Sequence, residues 1–229
     1  MAEKTLEDYI EDSKKYDEWK IGNQVLLDLC KNYPKHEKKD EIIAKIWLIG
    51  RSYAVALERC KQDEKKNTHD FYVEAAEKII KSNFDEKLDK LKCKNGNRPT
   101  DEIILGVYHS LLKTLSEYTN MNKISFASKY LHFHFPELFY IYDSRAAKKI
   151  GKVIKMLGIA QRDYILPPEN NENINPELPD NFIVYKRFYK KCQVCVQRIK
   201  ETLHIELSSR EFDSLLLTIA DEKEKENNQ

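Results

Sequence analysis

The chain has 229 residues, enough for one or two domains and for a sizeable core without disulfide staples. Apolar residues make up 41% and charged residues 34%, but glycine occurs only 6 times, which excludes Gly-rich phosphate loops, a dinucleotide-binding turn and a turn-rich β-sandwich. The net charge is +1, no apolar run nears the roughly 20 residues of a bilayer span, and 5 cysteines make no disulfide framework.

The N-terminal stretch MAEKTLEDYIEDSKKYDEW is acidic and polar where a signal peptide is basic and then apolar, so a cytoplasmic protein is expected. Ile42, Ile46, Ile49, Tyr53 and Leu57 recur at three- and four-residue steps, the spacing of a buried helical stripe. Arg51 and Glu58 lie two turns apart on this stretch and are expected to pair. Trp19 and Trp47 have no partner pattern and are expected in the core. Thr68 is placed to cap a helix through Phe71, Ala75, Ile79 and Ile80. Ser82 with Asp85 three residues on resembles a capping box for a short helix after it.

KCKNGNRP (residues 92–99) is a turn, and Thr100 then caps a helix through Ile103, Ile104, Val107 and Leu111. A helix over 126–134 stops at Pro136, and another over 144–157 ends at Gly158. Residues 166–181 hold four of the seven prolines and read as a loop. Helices over 182–207 and 211–220 follow, then a fraying charged tail at 221–229. The fold class is all-α: one helical body over 1–229, or two lobes with the terminal segments packed together in one.

Charge is unevenly spread. Residues 123–200 carry 14 Lys and Arg against 7 Asp and Glu, and the stretches 145–155 and 182–200 contain no acid. A basic face of this kind suits double-stranded DNA, because Lys and Arg replace condensed counterions on phosphates. Arg145, Lys148, Lys149, Lys152, Lys186 and Arg187 are its candidates; the competing reading is solvated helix faces whose acids lie elsewhere in space. Cys192 and Cys195 share a helical stripe with Val196, Ile199 and Leu203, so burial explains both thiols. No second cysteine pair completes a zinc site, and no metal or other cofactor is expected.

The most informative stretch is residues 122–150, NKISFASKYLHFHFPELFYIYDSRAAKKI. Asp143 follows an apolar extended piece and opens a helix, where it can cap the amides of Ser144 to Ala146. Ser125-Phe126-Ala127-Ser128-Lys129 followed by Ile141-Tyr142-Asp143-Ser144-Arg145 resembles the hairpin and aspartate motifs of the helix-hairpin-helix DNA glycosylase superfamily. The small helical chain with SKYLHFH and IYDSRA is also similar to phage-defence glycosylases that remove glucosylated hydroxymethylcytosine. It lacks the family's hairpin glycines, the histidine after the aspartate and the iron–sulfur cysteines.

The resemblance implies a helix-hairpin-helix fold and a monomeric DNA N-glycosylase that leaves an abasic site. It makes Asp143 the catalytic carboxylate. Lys129, by hairpin register, or Lys123, by spacing, is the nucleophile of any associated lyase step. It also implies that Ser125 and Ser128 contact DNA. His132 and Tyr142, with Phe133 and Tyr140, are available to stack on an extruded base or fill its gap, and all four also read as ordinary core aromatics. Two other readings are a non-catalytic DNA-binding protein and an adaptor whose basic face meets an acidic protein.

Overall fold

A computed structural model describes residues 4–14, 19–60, 67–93, 96–165 and 180–226. The Pro-rich loop expected at 166–181 lies outside the described residues as far as position 179. In chain order the helices are α1 Leu6–Ser13, α2 Lys20–Asn32, α3 Lys39–Ser52, α4 Thr68–Lys81, α5 Phe84–Leu88, α6 Asp101–Thr119, α7 Ile124–His134, α8 Ser144–Ala147, α9 Ile150–Met156, α10 Asp180–Leu203 and α11 Ser209–Glu226. Among the described residues there is no β-strand, and the protein is all-α. None of its described helices is long and apolar enough to cross a membrane.

Local chemistry explains where several helices start. Thr5 and Asp8 close a capping box on α1, and the Thr100 hydroxyl accepts the Ile103 amide at the start of α6. Asn67, not Thr68, caps α4 by accepting the Asp70 amide. The capping box expected from Ser82 and Asp85 does not form: α5 starts after Asn83 in the left-handed region, φ 51°, with no side-chain cap. Asp85 is instead drawn to His36, as described below.

The chain divides into two compact units. In the unit Gly22–Leu138, α3 packs on α4 and α7, and α6 packs on α4 and α7. Ile42, Ile46 and Ile49 are fully buried, as the stripe predicts, but α3 ends at Ser52, so half-buried Tyr53 and buried Leu57 lie beyond it. Arg51 pairs with Glu58, which also accepts the Tyr72 hydroxyl. Gly50 permits a close approach here, since a Cβ on it would lie 3.2 Å from Ala56 Cα. Trp47 and Trp19 are corrections: 47% and 63% exposed, they lie outside the core. Trp47 follows Ile46 by about 100° around α3 and so leaves the buried stripe.

In the other unit, Met1–Ile21 with Phe139–Gln229, α1 and α8 pack on α11 and α9 packs on α10. Tyr185, Tyr189, Cys192, Cys195 and Ile199 form the buried stripe of α10, so the C-x-x-C is core. Burial pushes the Cys195 thiol up to about 12. The helix expected over 144–157 is two helices, α8 and α9, separated by a turn at Lys148 and Lys149. The tail also differs: α11 runs on through Glu226, with Asp221 held by Arg145 and Glu222 by Lys4.

Candidate active site

Asp143 is the N-cap of α8, with extended backbone at φ −124° and ψ 135°. Its Oδ1 accepts the Arg145 amide at 2.8 Å and the Ala146 amide at 3.4 Å. Its Oδ2 makes no hydrogen bond among the described residues. The carboxylate is therefore fixed through one oxygen while the half-buried side chain offers the other. Tyr142 lies edge-on to Phe188 at 5.2 Å, and burial together with the Asp143 charge raises its phenol, keeping it neutral.

The basic residues of the same unit fall into two sets. Arg145 pairs with Asp221, while Lys152 donates to the Tyr9 hydroxyl at 2.5 Å and stands 3.8 Å from Glu222. These two cations face acids from elsewhere in the chain, as the solvated-face reading has it. Lys148, Lys149 and Arg187 have no acidic partner among the described residues, and neither has Lys155. Lys186 is half-buried on α10.

The hairpin placed at Ser125 to Lys129 is a correction, because these residues form the first turns of α7. The chain reversal comes earlier, at residues 120–123 between α6 and α7, where Asn120 takes φ 49°. Asparagine tolerates that left-handed backbone better than other L-residues, so the turn forms without glycine. Ser128 is fully buried with its hydroxyl donating to the Ser125 carbonyl at 3.0 Å, and it cannot meet a phosphate. Ser125 is half-buried, and its hydroxyl accepts from Lys129 Nζ at 2.7 Å.

Lys129 is 2% exposed and Lys123 8% exposed, with Lys123 Nζ donating to the Leu57 carbonyl at 3.5 Å. A lysine nucleophile needs its amine against the sugar carbon, and this burial offers neither amine that access. His132 is likewise 2% exposed, a core ring against Phe133 rather than an open stacking platform. Asp143, Tyr142 and the basic residues belong to one unit; Lys123, Ser125, Ser128, Lys129 and His132 belong to the other.

A polar cluster in the Gly22–Leu138 unit escapes sequence reasoning. Asp85 accepts from the His36 amide at 2.8 Å and stands 2.7 Å from His36 Nδ1, while His36 Nε2 lies 2.7 Å from the Tyr130 hydroxyl. A neutral ring donating from Nδ1 satisfies all three, its Nε2 accepting from Tyr130. Lys45, fully buried, donates to the carbonyls of Tyr33 and Lys35, both at 2.8 Å, and its Nζ is 3.5 Å from His36 Nε2.

Burial pushes His36 down to about 4, assisted by the Lys45 charge and opposed by Asp85. Burial also pushes Lys45 down to about 8 and holds Tyr130 well above the usual phenol range. The partners of His36 lie 49 and 94 positions along the chain. The only local signal is Lys45 itself, a cation on the Ile42–Ile46–Ile49 stripe.

Residues 5–138 match the family model HI_0787_N, described as an N-terminal domain, which is more than half of the chain. The chain belongs to the HI_0787_N family. The HI_0787_N match takes in α1 to α7, with the His36 cluster and both candidate lysines, and it ends before Asp143. No curated protein and no solved structure matches the chain.

Proposed function

We propose that the protein is a monomeric cytoplasmic DNA N-glycosylase that removes a damaged or modified base from double-stranded DNA. The observation that supports this best is the Asp143 carboxylate, anchored through Oδ1 with Oδ2 unbonded among the described residues. Its unit also carries Lys148, Lys149, Lys155 and Arg187, cations without acidic partners among the described residues.

The target nucleotide must leave the stack before its glycosidic bond is reachable. As that bond lengthens, its electron pair goes to the base nitrogen and positive charge builds on the sugar. The Asp143 carboxylate stabilises that cation and takes a proton from the water that attacks the sugar carbon. The departing base nitrogen takes a proton from solvent, Asp143 returns the water's proton to solvent, and an abasic site remains. The burial of Lys123 and Lys129 favours water over lysine as nucleophile, hence release without strand nicking. The likeness to phage-defence glycosylases extends the substrate class to phage-modified bases.

DNA affinity tests the surface on which this reading relies. Lys148→Glu with Lys149→Glu is expected to weaken binding to all sequences alike and to reduce the salt slope by about one per lost phosphate contact. Arg145→Ala is expected to do less, since its partner Asp221 already offsets its charge. A salt titration with a labelled duplex reads both. Unchanged affinity in the double variant contradicts a DNA surface there.

A further inference from the structure

The Gly22–Leu138 unit contains a cavity of about 510 Å³, within the size range of small-ligand sites. Leu27, Leu88, Phe133 and Phe135 supply apolar walls, and Asp85 and His134 stand among them. Asp85 is the carboxylate held by His36, yet its side chain keeps 21% exposure. Each of its oxygens accepts one bond from His36 and retains capacity for another. His134 also lines the cavity, but its Nε2 is itself buried and has no hydrogen-bond partner among the described residues.

The charged lining residues differ in their commitments. Lys92 pairs with Asp89, and Asp28 accepts from Gln24. Lys31 and Lys35 are exposed and neither forms an ion pair among the described residues, although the Lys35 charge acts on Asp89. The cavity thus offers apolar walls, a carboxylate acceptor and two cations outside ion pairs.

We propose that this cavity binds a free nucleoside monophosphate, with a guanine ring against Asp85 and the phosphate at Lys31 and Lys35. The apolar walls suit a flat ring. A carboxylate with two accepting oxygens matches guanine, which presents adjacent N1–H and N2–H donors; adenine, cytosine and uracil present no such pair. The site does not depend on Asp143, and the proposal stands or falls separately from base release.

The test is calorimetry of the full chain with GMP, AMP, CMP, UMP, guanosine and inorganic phosphate, with no DNA present. GMP is expected to bind best, with guanosine and phosphate each at least tenfold weaker. Lys35→Glu, a surface change, is expected to weaken GMP about tenfold and leave guanosine unaffected. Asp85→Asn is expected to remove the preference of GMP over AMP, provided its thermal melt stays cooperative. If that variant unfolds, the wild-type ranking and Lys35→Glu still decide. Equal binding of all four nucleotides, binding of phosphate as tight as GMP, or no nucleotide binding overturns the proposal.

Discussion

Asp143→Asn is expected to stay folded, bind DNA as the wild type does, and release base at least about 10²-fold more slowly. Asparagine is as good an N-cap acceptor as aspartate, so the bonds to the Arg145 and Ala146 amides survive the change. What disappears is the negative charge opposite the developing sugar cation, which a preorganised site makes worth several kcal/mol. Asp143→Ala confuses the two roles, because loss of the cap alone costs about 1 kcal/mol. Lys123→Gln and Lys129→Gln are expected to leave the rate of base release largely intact, measured beside Asp143→Asn on the same duplex. Full activity in Asp143→Asn makes that residue a helix cap and nothing more.

The second large effect is a loss of stability in acid. His36 titrates near 4 in the folded chain, because of burial and the Lys45 charge, and near 6.5 when unfolded. Between those values the unfolded state binds the extra proton, so stability is full above about pH 6.5 and falls as pH drops towards 4. The gap corresponds to on the order of 3 kcal/mol. His134, held well below its ordinary value by burial, loses stability in the same direction. Lys45, lowered to about 8 in the folded chain, is protonated in both states between pH 6.5 and 4 and adds no slope in this window. Urea midpoints at pH 7, 6, 5 and 4 check this, with His36→Gln expected to show a shallower decline. The same slope in both proteins assigns the acid loss to other groups.

What the sequence discloses follows the range of the interactions. The Thr100 cap, the Ile42–Ile46–Ile49 stripe and the buried C-x-x-C depend on neighbours within a few turns, and all are present. Asp85 shows the limit: three residues after Ser82 it reads as a capping acid, yet a histidine 49 positions away has a stronger claim on it. Burial of Lys129 and Ser128 is equally invisible locally, because a helix face becomes interior only when α3 and α6 pack on α7. The end of α11 was obscured by composition, since Asp221 and Glu222 look like a solvated tail until Arg145 and Lys4 meet them. Asp143 was legible as a cap from its place before Ser144, and its Oδ2, unbonded among the described residues, only from the fold.

The central claim is that this chain breaks N-glycosidic bonds, and mass spectrometry of bases freed from duplex DNA tests it most directly. The panel needs normal, damaged and phage-modified duplexes, incubated with wild type and with Asp143→Asn. The account predicts a free base from at least one modified duplex, an unnicked abasic strand, and about 10²-fold less base from the variant. No base released from any duplex to which the protein binds contradicts it.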